Sequence, residues 1–238
     1  MVLSNRSRGL ILTLLLAAIV APGSTCLAGE TRWGVAGFGS YNTYAMSDVN
    51  DEIGQINLLL EGSGVGPMDE ISDGFGVGGG IRAIFGDKVM LFLDYERLMG
   101  DTSLSDGVDE LKYDVPCDAF LASVAYRFPG SARARFGVGG GLGYYSSAAS
   151  ISIDATSIGL SEKADVTGSG VGLHAFGLMD AAFSPAVHLE ALAGYRYGKT
   201  GDVTLEAAGL SQEVPDYSLD WSGLMARVGL AIYFGGGD

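Results

Sequence analysis

Residues 75–96 read FGVGGGIRAIFGDKVMLFLDYE. Phe75, Val77, Gly79, Ile81, Ala83 and Phe85 alternate with Gly74, Gly76, Gly78, Gly80 and Arg82. Gly86-Asp87-Lys88 breaks the pattern, and then Val89, Leu91, Leu93 and Tyr95 alternate with Phe92, Asp94 and Glu96. A period of two places successive side chains on opposite faces, so the stretch predicts two strands and a short turn. A sheet wetted on one face would crowd that face with charge. Here the second face is mostly glycine with a few ionisable groups, and the apolar face carries aromatics at both ends. That is the pattern of a hairpin between lipid and a crowded polar interior.

The first residues read differently. Arg6 and Arg8 precede the apolar run Leu10–Val20, Pro22 and Gly23 break it, and Cys26-Leu27-Ala28 offers small residues for cleavage. A basic start, a short apolar run and such a site predict a secretory signal peptide over 1–28, leaving one domain over 29–238. No later window has the uninterrupted apolar length of a membrane helix. Without Arg6 and Arg8, 12 basic residues face 28 acidic ones, a net charge of −16. That balance argues against a nucleic-acid partner. Cys117 is the one cysteine beyond the cleavage point, which precludes an internal disulfide in an exported chain.

Alternation recurs along the chain. It predicts strands over Arg32–Tyr44, the hairpin above, Tyr113–Phe128, Ala132–Tyr145, Gly168–Phe183, Val187–Tyr197 and Leu219–Phe234, eight in all. Pro129-Gly130-Ser131 and Ser184-Pro185-Ala186 are tight turns. Between the other pairs run long connections: 45–72, an acidic irregular stretch over 98–111, 146–166 and 198–217. The first contains a helical repeat at Val49, Ile53, Ile56 and Leu60, with Ser47 or Asp48 as its cap and Asp51 and Glu52 in its first turn. Long and short connections alternate, so all the short turns fall on one side and all the long loops on the other.

The aromatics follow the same two ends. Trp33, Phe85, Phe128, Phe136, Phe183 and Phe234 fall by the short turns, and Tyr41, Phe75, Tyr95, Tyr144, Tyr195 and Tyr197 by the long loops. Membrane barrels carry such girdles at both interfaces. The ten steps from Phe75 to Phe85 span roughly 33 Å of strand, or roughly 23 Å when tilted by ~45°, close to the apolar band of these barrels. The expected fold is an all-β, eight-stranded antiparallel up-and-down transmembrane β-barrel with its long loops outside.

On its signal peptide, its alternating strands and its ending Val228-Gly-Leu-Ala-Ile-Tyr-Phe234, the mature chain resembles the small bacterial outer-membrane β-barrel proteins, the group of outer-membrane proteins A, X and W and the opacity proteins. The resemblance implies Sec-type export, cleavage near Ala28, residence in the outer membrane among lipid and lipopolysaccharide, and recognition of the last strand by the barrel-insertion machinery. Gly235-Gly-Gly-Asp238 follows Phe234 and departs from the usual terminal aromatic. The resemblance carries no functional motif.

Several candidate sites remain. Gly74-x-Gly76-x-x-Gly79 matches a dinucleotide pattern, but a strand follows it where a helix is needed. The glycines, repeated in Phe136-Gly-Val-Gly-Gly-Gly141, are better read as space for large interior groups. By alternation Arg82, Asp94, Glu96, Arg127, Arg135, His174, Asp180, His188, Glu190, Arg196 and Arg227 point inward, as a structural polar network that pairs buried charge. His188 and Glu190 share that face, and no serine has matching spacing for a nucleophile. Two histidines without a clustered third ligand make a poor metal site. The sequence therefore predicts no enzyme, cofactor or metal. It predicts a structural or surface-interaction role through long loops, with no surface partner named. The alternatives are a narrow channel or pocket for small hydrophobic compounds, which outer-membrane protein W would imply, and, third, a lipid-A-modifying enzyme.

Overall fold

The computed structural model describes residues 31–61, 66–86, 88–131, 133–156, 160–201, 203–207 and 210–234. The predicted signal peptide, Asp87 and residues 235–238 lie outside them. Twelve antiparallel strands form one sheet among the described residues. They are β1 (Thr31–Thr43), β2 (Asp73–Phe85), β3 (Val89–Leu98), β4 (Asp101–Ser105), β5 (Asp109–Asp114), β6 (Cys117–Arg127), β7 (Ala134–Ala155), β8 (Leu160–Ala182), β9 (Val187–Gly198), β10 (Val203–Ala207), β11 (Leu210–Val214) and β12 (Gly223–Phe234). One helix, α1 (Ser47–Leu60), lies between β1 and β2.

The pairings return on themselves. β1 pairs β2, and the order runs through β3, β6, β7, β8, β9 and β12, which pairs β1 again with Trp33 opposite Phe234. Eight strands thus close a ring. The hairpin 75–96 sits in it with Phe85 opposite Val89 and Gly80 opposite Asp94. β3 and β12 alternate a buried and a more open side, and β2 follows the same pattern until Arg82-Ala83-Ile84, which are all buried. The exposed side is apolar: Val35, Ile81, Val138, Leu173, Leu224 and Ile232 are each about half or more open.

The long connections are more ordered than the alternation predicts. The stretch expected as irregular over 98–111 is largely the hairpin β4–β5. Tyr113, expected in the next ring strand, belongs to β5, because Val115-Pro116 interrupts the ladder where Pro116 has no N–H to donate. The connection expected over 146–166 is strand: β7 and β8 continue past the ring as one ribbon, pairing from Ala134↔Ala181 to Ala155↔Leu160. The third expected loop, 198–217, holds the hairpin β10–β11. Leu219–Ser222, expected as strand, lies before β12. β5 pairs β7 and β10 pairs β8, so these additions extend one sheet beyond the long-loop end of the ring.

Candidate functional site

The interior of the ring is the site that the sequence singles out. The structure buries ten of its eleven candidate residues, from Glu96 at 0% exposure to His174 at 7%, and leaves Arg135 half-buried. Six of them form a ladder. Arg82 Nε lies 2.9 Å from Glu190 Oε2, and its Nη1 donates to Asp94. Arg227 joins Asp94 at 3.4 Å to Glu96 at 2.5 Å. Arg196 Nη1 is 3.9 Å from Glu96, and its Nη2 donates to Asn42. Three guanidiniums face three carboxylates, so the ladder is neutral. Hydroxyls complete it: Ser40 donates to Glu96 at 2.5 Å and Tyr233 to Glu190 at 2.7 Å. Charges taken from water need such partners, and among the described residues only Arg196 Nη1 and Arg227 Nε of the ladder are left without a hydrogen bond.

Aromatics and glycines fit around this ladder. The Arg82 guanidinium lies 4.6 Å from the Phe92 ring centroid, and Arg227 lies 4.9 Å from that of Phe38. Gly80 faces Asp94, where an added Cβ would come within 2.1 Å of the carboxylate. A Cβ on Gly78 would meet the Phe38 ring at 2.6 Å. The glycine face of the opening hairpin is therefore the space that the ladder and its aromatics fill.

Four of the remaining five candidates fall into two smaller groups, and Arg135 lies at the short-turn end. Asp180 pairs with Arg127 at 3.2 Å and with His188 Nδ1 at 2.7 Å, near the short turns. His174 Nε2 lies 2.6 Å from Ser123 Oγ. Sequence spacing misses Ser123 because it sits on β6, two strands from β8. Gly141 lies between them, opposite both Ser123 and His174, and its missing side chain lets the two meet. This hydroxyl–imidazole pair lacks a third member: His174 Nδ1 has no hydrogen-bond partner among the described residues. The acid–imidazole pair Asp180–His188 lies six residues further along β8, roughly 20 Å away. A base with an acid and a hydroxyl with a base, so separated, do not make a triad.

Apolar layers close the ladder at both ends. Toward the short turns lie Ile84, Met90, Ala125, Leu178, Leu192 and Tyr233. Toward the long loops, Tyr44, Val49, Ile53, Leu98, Tyr145, Leu219 and Trp221 form the larger cluster. Trp221 is fully buried, meets Tyr44 edge-on at 4.8 Å and donates Nε1–H to Ser147 Oγ at 2.8 Å. A void of about 10 Å³ bordered by Phe38, Arg82, Glu190 and Arg227 is about the size of one water.

Helix α1 seats this outer layer through Val49 and Ile53. Its start differs from the predicted cap. Met46 occupies the cap position with φ 42°, and neither Ser47 nor Asp48 caps the backbone. Asp48 instead accepts from Ser218 N at 2.8 Å and Ser218 Oγ at 2.7 Å. Glu52 accepts from Tyr217 OH at 3.0 Å. On the other flank Asn50 holds both the N–H and C=O of Ile71, and Asn57 holds those of Met68. Each amide thus pairs the chain as a strand neighbour would. Asn50 and Asn57 stand two helical turns apart, a spacing visible in the sequence though its purpose is not. Burial raises the Glu52 carboxyl above its usual range, with Asp48 adding to the rise and the Tyr217 hydroxyl opposing it.

No family model matches the chain, and no curated protein matches its sequence. Solved structures do match. A major outer membrane protein from Thermus thermophilus aligns with TM-score 0.56 at 14% identity, over 86% of this chain and 99% of that one. The outer membrane protein OprG from Pseudomonas aeruginosa aligns with TM-score 0.52 at 14% identity, over 87% of this chain and 97% of that one. The fold is that of the small bacterial outer-membrane β-barrel proteins. Barrels of this fold turn an apolar side to lipid and a polar side to the lumen, and the half-exposed apolar side and buried polar side of this ring divide in the same way.

Proposed function

We propose that the chain is an eight-stranded up-and-down transmembrane β-barrel of the outer membrane, with a plugged lumen and a non-enzymatic role. It serves as a structural or surface-interaction protein through the sheet and loops at its long-loop end. The observation that carries this reading is the filled interior: a neutral ionic ladder between two apolar layers, with α1 and Trp221 over the mouth. An exposed apolar belt running round the ring supports a lipid environment, because water would not tolerate a patch of that extent. Tyr41, Phe75, Tyr95 and Tyr195 at one rim, and Trp33, Phe128, Phe183 and Phe234 at the other, fit the two interfaces. Lipid, lipopolysaccharide and the insertion machinery that reads the last strand are then its standing partners.

Planar-bilayer recording on the purified chain tests the plug. Silent membranes are expected. Steady single-channel currents would overturn the reading in favour of a narrow conduit for small compounds. Mass spectra of lipid A from cells with and without the protein test the absence of catalysis, and a new lipid A species would refute it.

A further inference from the structure

The short-turn end of the ring carries a second feature, of opposite character to the ladder. A cavity of about 290 Å³ opens there, lined by Arg32, Arg127, Arg133, Arg135, Asp180 and His188 among others. Among the described residues of that lining, four are arginines and one is a carboxylate. The inner ladder balances three charges against three and the whole chain carries −14, whereas here Arg32 and Arg133 bring two guanidiniums beyond the Arg127–Asp180 pair to one concavity. Arg32 donates to the carbonyl of Pro185, which holds the group in place without neutralising it, and lies 5.3 Å from the Tyr233 ring centroid. Arg127 shares Asp180 with His188. Arg133 stands exposed at the rim.

We infer that this vestibule binds a phosphate-class anion. Like charges gathered in a concavity repel one another and raise the local potential, and a bound anion relieves both. The planar guanidinium fork matches phosphate oxygens two at a time. The ligand is either a soluble phosphate or the headgroup of an acidic phospholipid. The lipid source rests on the membrane reading above, and the soluble source does not.

The test uses the full chain in maltoside micelles. Calorimetric titration with inorganic pyrophosphate measures the soluble source. Native mass spectrometry with phosphatidylglycerol, against phosphatidylcholine, measures the headgroup source. Saturable one-to-one binding of either probe is expected. R32Q and R133Q should each weaken it about tenfold or more, the scale of one charge-assisted hydrogen bond. R97Q, whose guanidinium pairs with Asp118 at the opposite end, should leave it unchanged. Both vestibule side chains lie outside the ladder, and an unchanged urea midpoint verifies that the variants are folded. Absence of saturable binding by both probes, or binding indifferent to R32Q and R133Q in folded protein, overturns the proposal.

Discussion

Changing Glu96 to Gln tests whether the ladder works as one unit. The substitution keeps the volume of the side chain, so no cavity term enters. It also keeps an oxygen to accept from Ser40 at 2.5 Å. It removes the charge that faces Arg227 at 2.5 Å and Arg196 at 3.9 Å. Arg227 retains Asp94 at 3.4 Å, whereas Arg196 retains no carboxylate in an ion pair among the described residues, with the neutral oxygen of Asn42 and the Tyr145 ring at 6.0 Å beside it. Breaking a buried pair by removing one partner costs about 3–5 kcal/mol, because a desolvated charge is left behind. The surviving Asp94 contact places this case at the lower end, about 3 kcal/mol. The assay is a urea titration of the refolded protein in lipid vesicles, read by the band shift between folded and unfolded forms on unboiled gels. The double change Glu96→Gln with Arg196→Met removes the stranded charge too, and should recover at least about 1 kcal/mol of the loss as a coupling energy. The reasoning fails if Glu96→Gln costs less than about 1 kcal/mol, the scale of a surface ion pair. It also fails if the two changes add independently.

Three further outcomes follow from packing and polar contacts. Gly78→Ala should lose about 1–3 kcal/mol in the same titration, since the new Cβ meets both Phe38 and the carbonyl of Tyr95, and Phe38→Leu should restore only part of it. Asp48→Ala removes the acceptor for Ser218 N and Oγ and should loosen α1 by about 1–2 kcal/mol, read as faster amide exchange at Val49 and Ile53 with the ring strands unaffected. Glu52 gives a pH dependence. Its docked pKa lies above the ordinary value of 4.5, so the docked helix favours the protonated form, and this stabilisation is complete below 4.5 and lost as pH rises through the raised value. Exchange protection of α1, corrected for intrinsic rates, should therefore be higher in acid than at neutral pH, and Glu52→Gln should flatten that dependence.

The ring is legible in the sequence because its signal is local. In 75–96 every second residue reports the same face, and the turn Gly86-Asp87-Lys88 interrupts the count in plain view. The interior residues follow from the same alternation, one by one. What the sequence does not carry is who meets whom across the lumen. Arg82 reaches Glu190 and Arg227 reaches Asp94 between strands that are not neighbours, a fact set by closure and stagger. Ser123 and His174 meet only because Gly141 on the strand between them has no side chain. The extra strands are hidden for another reason. Ser150-Ile151-Ser152-Ile153 does alternate, but its polar residues and small neighbours resemble loop composition once lipid no longer demands an apolar face. Pro116 explains why Tyr113 and Asp114, read with β6 as one strand, fold into β5 instead. The cap of α1 departs from its sequence reading because Asp48 finds a partner 170 residues away, which outcompetes its own backbone.

The ladder also bears on how the chain assembles. Four of its bonds join residues 108, 131, 133 and 154 positions apart. None of them forms while the sheet is a partial ribbon. As the ring closes, Glu96 waits for arginines that arrive with its last two strands, β9 and β12, while Asp94, already met by Arg82 of its own hairpin, gains Arg227 from β12. A slip of two residues on the closing strand would preserve every inward and outward face, and the lipid belt would not detect it. The charges would. A displaced Arg227 leaves unpaired charge in the buried interior, so the interior acts as a register key that accepts one way of closing the ring.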